Sequence, residues 1–192
     1  MTASLTDSST RERILREGAR LFAARGYHGV SMREVAEAVG VTKPALYHHY
    51  ADKEALFLAI MEGALTDLSG AVAHALSQGD FTQQVRTLAL DLIVGAARYR
   101  PAMGLAAELK HITPDKRADF EARYRAAFFG AIESWMGQAA RQNRLSVPPG
   151  LAARTLMGLI SPHVTAPALP EAEPLADQLA HLFLHGALRR EE

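Results

Sequence analysis

Adjacent histidines His48 and His49 follow Lys43 and Tyr47 within the stretch VTKPALYHHYADK, residues 41–53. Three kinds of chemistry suit that crowding: a metal held by imidazoles, acid–base work by tyrosine and histidine, or a short helix offering donors to a large polyanion. A metal needs helical ligands one turn apart, or ligands brought in from elsewhere, and neighbours in sequence diverge around a helix. Glu108 and His111, three apart, form half of a di-iron carboxylate site, but such a site needs that pair twice plus two more glutamates, and the pair occurs once. His181 and His185 lie one helical turn apart, a spacing shared by metal ligands and by a solvated or interface face. There is no Gly-rich phosphate loop, zinc-protease motif or nucleophile elbow. Cysteine is absent, so disulfides, thiol nucleophiles and thiolate zinc sites are excluded. The expectation is a protein that is not an enzyme and carries no metal or cofactor, with a helical metal bundle as the competing class.

The elements that must position these residues are helical throughout; no segment shows sustained strand alternation. Residues 9–26 open on Ser9 with Glu12 as a capping box, carry Ile14, Leu15, Leu21 and Phe22 at helical spacing, and stop on Gly26. Residues 31–40 repeat that grammar, with Ser31 and Glu34 at the start, Val35, Ala36 and Val39 inward, and Gly40 as the stop. Thr42 then caps a second short helix, with Pro44 in its first turn, where a missing N–H leaves no bond unmade. Two short helices joined by a tight glycine turn make a helix-turn-helix, whose second helix normally enters the major groove. Asp52 caps a longer helix bearing Leu56, Phe57, Ile60, Met61, Leu65, Leu68 and Val72 on one face.

Turn signals divide the remainder at SQGD (77–80), Arg100-Pro101, Thr113-Pro114-Asp115, SVPPG (146–150) and a Pro-rich stretch from Ser161 to Pro174. The fold class is therefore all-α, with about nine helices: a three-helix head over residues 1–53 and a helical body over 54–192. No apolar run is read as long enough to cross a bilayer, and the polar start MTASLTDSSTRER does not read as a secretory signal, so a cytoplasmic protein without a membrane partner is expected. Formal net charge is +0, divided as +2 over residues 1–53 and −2 over the rest, an asymmetry that permits a nucleic-acid-facing head without demanding one.

Residues 26–57, GYHGVSMREVAEAVGVTKPALYHHYADKEALF, closely resemble the DNA-binding head of the TetR family of bacterial transcriptional regulators. The features that carry the likeness are Gly26-Tyr27, Ser31, Val35-Ala36, Gly40-Val41-Thr42, Leu46-Tyr47, the ring at Tyr50, Lys53-Glu54 and Leu56-Phe57. Tyr50 departs from the commoner phenylalanine, and its hydroxyl is expected to find water or phosphate. The resemblance implies DNA contacts by Ser31, Thr42, Lys43, Pro44, Tyr47, His48, His49 and Lys53. Residue chemistry agrees: short polar groups at a helix N-terminus approach base edges, amide dipoles favour a phosphate, and Lys43 and Lys53 are cations beside the backbone. Pro44 and Ala45 offer apolar contact only, so specificity rests partly on DNA shape. Plainer roles stand beside these: Ser31 and Thr42 as caps, and Tyr47 as core.

The resemblance further implies a body that encloses an effector and pairs two copies. Phe120, Tyr124, Phe128, Ala131 and Trp135 form a one-sided stripe, which reads either as core or as pocket wall. Tyr124, Phe128 and Trp135, joined by Met103, His111 and Met157, are the candidate lining for a small, largely apolar molecule. The two apolar final helices are the expected homodimer interface. Together these imply a ligand-responsive regulator, most simply a repressor, whose dimer binds a palindromic operator in double-stranded DNA and is released by its effector.

Overall fold

The computed structural model describes residues 3–165 and 171–187, so the middle of the Pro-rich connection and both chain ends lie outside the described residues. The described residues form ten α-helices: α1 Ala3–Arg25, α2 Met32–Val39, α3 Lys43–His49, α4 Lys53–Leu76, α5 Phe81–Val94, α6 Ala96–Gly104, α7 Pro114–Tyr124, α8 Ala131–Arg141, α9 Pro149–Thr165 and α10 Ala172–Ala187. A 3-10 turn covers Ala106–His111 and a π-helical turn covers Arg125–Gly130. The described residues hold no strand. The all-α class is correct, with one helix more than the spacing suggested.

The chain divides into two compact units, Met1–Ala64 with Pro101–Phe120, and Leu65–Arg100 with Glu121–Glu192. In the first, Ile14 and Phe22 of α1 and Met32, Val35, Ala36 and Val39 of α2 are buried together with Leu46, Leu56, Phe57 and Ile60. Phe22 and Phe57 meet edge to face at 5.5 Å between centroids. Gly18 lets α1 and α4 approach, since a Cβ there would stand 3.1 Å from Ile60.

Local chemistry sets the head's boundaries. Ser31 caps α2 by accepting the Glu34 N–H, and the Glu34 side chain returns a bond to the Ser31 N–H, the reciprocal capping box. Gly40 ends α2 at φ 74, a left-handed conformation that costs other residues energy. Thr42 caps α3 by accepting from Ala45 N, and Asp52 caps α4 by accepting from Ala55 N at 2.7 Å. The capping box expected at Ser9 is absent, because α1 already runs from Ala3 with no proline or glycine before Ser9 to stop it.

In the second unit α5 packs against α9 and α10, and α8 packs against α9. Val85, Leu88, Ala89, Ile93, Ile132, Met136, Leu156, Ile160 and Ala176 are all fully buried there. The single helix expected over residues 81–100 is broken at Gly95, where a Cβ would lie 2.8 Å from the Asp91 carbonyl and 3.0 Å from the Tyr99 ring. Pro101 and Pro162 lie inside α6 and α9 rather than at their ends.

α4 requires a correction to the membrane reading, because by length and composition it is apolar enough to cross a bilayer. Leu56, Phe57, Ile60, Met61, Leu68, Val72 and Ala75 are nonetheless buried within the fold, as in a core helix.

Gly40 is the residue on which the α2–α3 turn depends. Gly40→Ala is expected to lower stability by about 1 kcal/mol through its left-handed backbone. Denaturant unfolding measures this without any DNA, and an unchanged midpoint would contradict the strain.

Candidate nucleic-acid interface

α3 is seven residues long and buries only Leu46, which is 0% exposed. Thr42, Lys43, Pro44, Ala45, Tyr47 and His48 all face solvent, with Tyr47 41% exposed, and His49 is half-buried. An isolated helix this short is unstable in water, so Leu46 beneath it and the Thr42 cap at its start must hold it. Lys43 places its ammonium 5.7 Å from the centre of the Tyr47 ring, a cation–π approach that keeps charge and ring on one face. The result is a rigid ridge with a positive start, two ring donors at its end and an open, polar flank.

The other expected contacts differ in kind. Ser31 is exposed, but its hydroxyl donates to Glu34 Oε2 at 2.7 Å and its N–H to the same oxygen at 2.8 Å, so capping occupies it. Lys53 is turned inward: its ammonium donates to the carbonyls of Tyr27 at 3.0 Å and Val30 at 3.1 Å and sits 4.4 Å from the Tyr27 ring centre. Two of its three donors are thus committed to the loop before α2. Tyr50 is buried, contrary to the solvated hydroxyl expected, and burial raises its pKa.

The loop at residues 26–30 is gripped from a second direction, which the sequence did not reveal. The Tyr27 N–H donates to Glu108 Oε2 at 2.7 Å. The His111 ring stacks on Tyr27 at 6.1 Å and approaches His28, whose Nε2 lies 3.0 Å from His111 Nδ1. Glu54 of α4 accepts from Thr113 N and from Lys116 at 2.6 Å. The Glu108–His111 spacing was visible as a candidate half-site for metal; in the fold it is a turn whose side chains address the head. Among the described residues no group of three His, Cys, Asp or Glu is placed to hold a metal ion.

The candidate lining residues are distributed over both units. Met103 and His111 belong to the first unit, and Tyr124, Phe128, Trp135 and Met157 to the second. The His111 ring meets Tyr27 and His28. Tyr124 and Phe128 pair at 5.9 Å beside Phe129 in the π-helical turn. Trp135 is buried against Phe81, donates to Gln84 Oε1 at 2.8 Å, and lines a cavity of about 260 Å3 with Gln138, Gln142 and Arg144. A second cavity of about 330 Å3 lies between α4, α5 and α6, with Asp67, His74, Asp91, Arg98 and Tyr99 on its wall and none of the six candidates. The lining of the smaller cavity is mainly polar and that of the larger mainly apolar.

Two carboxylates in the head are held far below their ordinary value of 4.5. Glu54 is lowered to about 2, chiefly by the Lys116 ammonium and then by the Thr113 N–H. Glu34 is lowered to about 2 by the Ser31 hydroxyl, the Ser31 N–H and Arg25. A depressed carboxylate stabilises the fold above its unfolded pKa and loses that contribution as pH falls toward the folded one. The head is therefore expected to lose stability from about pH 5 down to about 2. Glu54→Gln should flatten that dependence and lower the melting temperature at neutral pH; thermal melts of both proteins across this range are the check.

Comparison with known proteins follows the same division. The sequence profile described as bacterial regulatory proteins, tetR family, matches residues 14–60. The HTH-type transcriptional repressor KstR2 of Rhodococcus jostii is 29% identical over 132 residues, 68% of this chain and 63% of the relative. The HTH-type transcriptional activator FasR of Mycolicibacterium smegmatis is 38% identical over 66 residues, 34% of this chain and 30% of the relative. In both cases the chain spans less than two thirds of the relative's length. Among solved structures, the TetR family transcriptional regulator PfmR from Thermus thermophilus superposes with a TM-score of 0.78 at 27% identity, covering 94% of this chain and 98% of that one. AibR, solved in complex with isovaleryl coenzyme A and operator DNA, gives a TM-score of 0.75 at 25% identity, covering 91% and 98%.

Proposed function

We propose that the chain, by its head segment and its fold, is a member of the TetR family of bacterial regulators and that it is a cytoplasmic, ligand-responsive, DNA-binding transcriptional regulator, most simply a repressor. The observation that carries this is α3, which buries Leu46 and presents Thr42, Lys43, Pro44, Tyr47 and His48 outward. In the proposed complex the start of α3 meets the major groove. Lys43 and the α3 amide end take phosphate, Tyr47, His48 and His49 take phosphate and sugar, and Pro44 and Ala45 read thymine methyls by apolar contact.

Ser31 and Lys53 enter the reading differently. Ser31 presents the exposed end of a capped helix to the backbone, and Lys53 acts mainly by fixing residues 27–30, with one donor left for a phosphate.

The body is proposed to form a homodimer through α9 and α10, which leave Leu151 and Leu182 exposed at 45% and 60%. Two-fold symmetry then sets the two copies of α3 about 34 Å apart on a palindromic operator. The effector is proposed to be a small molecule with an apolar portion, bound in the body against residues drawn from Met103, His111, Tyr124, Phe128, Trp135 and Met157. The AibR complex, which holds an acyl thioester and operator DNA together, supports that class. A differential affinity of about 1–3 kcal/mol between DNA-competent and released states would change operator binding 5–150-fold.

The enzyme and metal-bundle class has no support in the relatives, which are transcriptional regulators.

Lys43→Ala separates these roles cleanly. It should weaken binding uniformly across operator variants and reduce the slope of log K against log salt by about one phosphate equivalent. Lys53→Ala should weaken binding with a smaller change in slope and a lower melting temperature. Fluorescence anisotropy over a salt series on duplexes selected from a random pool is the measurement. Failure to enrich any inverted repeat, by a protein that sediments as a monomer, would defeat the proposal.

A further inference from the structure

His28 and His111 stand 83 positions apart, take no part in the DNA contacts proposed above, and meet ring to ring. Their centroids are 4.2 Å apart at 72°, and Nε2 of one is 3.0 Å from Nδ1 of the other. Both rings reach solvent, so protons exchange freely with them. Beside them Tyr27 is pinned three ways, by Glu108 on its N–H, by Lys53 on its carbonyl, and by the His111 ring on its face. Gly26 makes the approach of Glu108 feasible, because its φ is +71 and a Cβ there would stand 3.1 Å from the Glu108 carboxylate.

A bond between two imidazoles needs one N–H and one lone pair. With both rings neutral the bond forms. One added proton keeps it and makes it charge-assisted. A second proton removes the last lone pair and sets two cations 3.0 Å apart. Because histidine is the side chain that ordinarily changes charge between about pH 5 and 8, that is the range in which the bond is to be tested.

Several charged groups surround the pair. Glu108, whose Oε2 is 4.0 Å from His111 Nε2, is kept ionised by the Tyr27 N–H. Lys110 on the same turn opposes it. On α4, Asp52 and Glu54 face the Tyr27 ring and Lys53 lies over it, while Lys116 of α7 neutralises Glu54.

We infer that His28 and His111 form a proton-operated clasp between residues 26–30 and the 106–111 turn, closed when at least one ring is neutral and opened when both are protonated. Opening removes one of the holds on the loop that leads into α2 and so weakens the DNA-binding head; this last consequence rests on the proposed function, whereas the clasp does not.

His28→Gln and His111→Gln test it, because both positions are exposed and glutamine retains a hydrogen-bonding group without titrating. All measurements use the full chain with a chelator present, so that no adventitious metal bridges the rings. Without DNA, the amide-exchange protection factor of Tyr27 should fall about tenfold from pH 7.5 to 5 in the wild-type protein, the scale of a typical coupling, and stay level in both variants. On an inverted-repeat duplex selected by the wild-type protein, its affinity should fall about tenfold relative to the variants over the same range. His48 and His49 are common to all three proteins and cancel in that comparison. A Tyr27 protection that is independent of pH, or that declines equally in all three, overturns the clasp. If no duplex is bound by any of them, the DNA-binding reading fails, and the protection factors alone decide the clasp.

Discussion

Tyr27 is only 9% exposed and touches almost every part of the first unit that matters to α3. Its ring meets Phe22 and Phe57 and lies beneath the Lys53 ammonium. Its own N–H and carbonyl are bonded to side chains from Glu108 and Lys53. A surface loop with its backbone groups satisfied in this way does not need regular structure to be rigid. The entry into α2 is therefore held, α2 is capped at Ser31, Gly40 turns the chain, and α3 follows in a determined direction. Removing the Tyr27 anchor would leave each of those local devices intact and their common orientation lost.

That dependence explains why so short a helix can serve as the proposed recognition element. Nothing in α3 itself stabilises seven residues in water. Its rigidity is borrowed from Leu46 below, Thr42 at its start and Tyr50 just beyond its end, all of which are directed inward or along the backbone. The side chains left over are free to differ without cost to the fold. Every fourth position, Thr42, Leu46 and Tyr50, serves stability, and the positions between them are those proposed to meet DNA.

Local grammar was legible in the sequence because it is written in adjacent residues. The caps at Ser31, Thr42 and Asp52 and the stop at Gly40 all involve bonds between residues three or four apart. What was not legible involves residues far apart. Nothing near Lys53 announces that its ammonium turns back to Tyr27 and Val30, and nothing near Glu108 and His111 says that their partners are Tyr27 and His28. The i, i+3 spacing correctly marked Glu108 and His111 as sharing a turn; the error lay in what they face. Gly95 was read past because helices tolerate an isolated glycine, and only the Tyr99 ring beside it shows why a side chain does not fit there. Pro101 and Pro162 each carry the local signal of a helix boundary, yet α6 and α9 run through them.

Connectivity and charge bear on how such a head would work. The chain passes between its two units three times, after Ala64, Arg100 and Phe120, and each passage lies inside a helix: α4, α6 and α7. The formal net charge of +0 adds a second constraint, because a neutral molecule draws little long-range attraction from a polyanion. Non-specific affinity, which is almost wholly electrostatic, is then kept low. In the proposed complex the burden of recognition falls on short-range contacts from α3. On that proposal the setting of the 26–30 loop matters more than it would in a strongly basic protein, since the +2 carried by residues 1–53 is a weak field with which to compensate for a misplaced ridge.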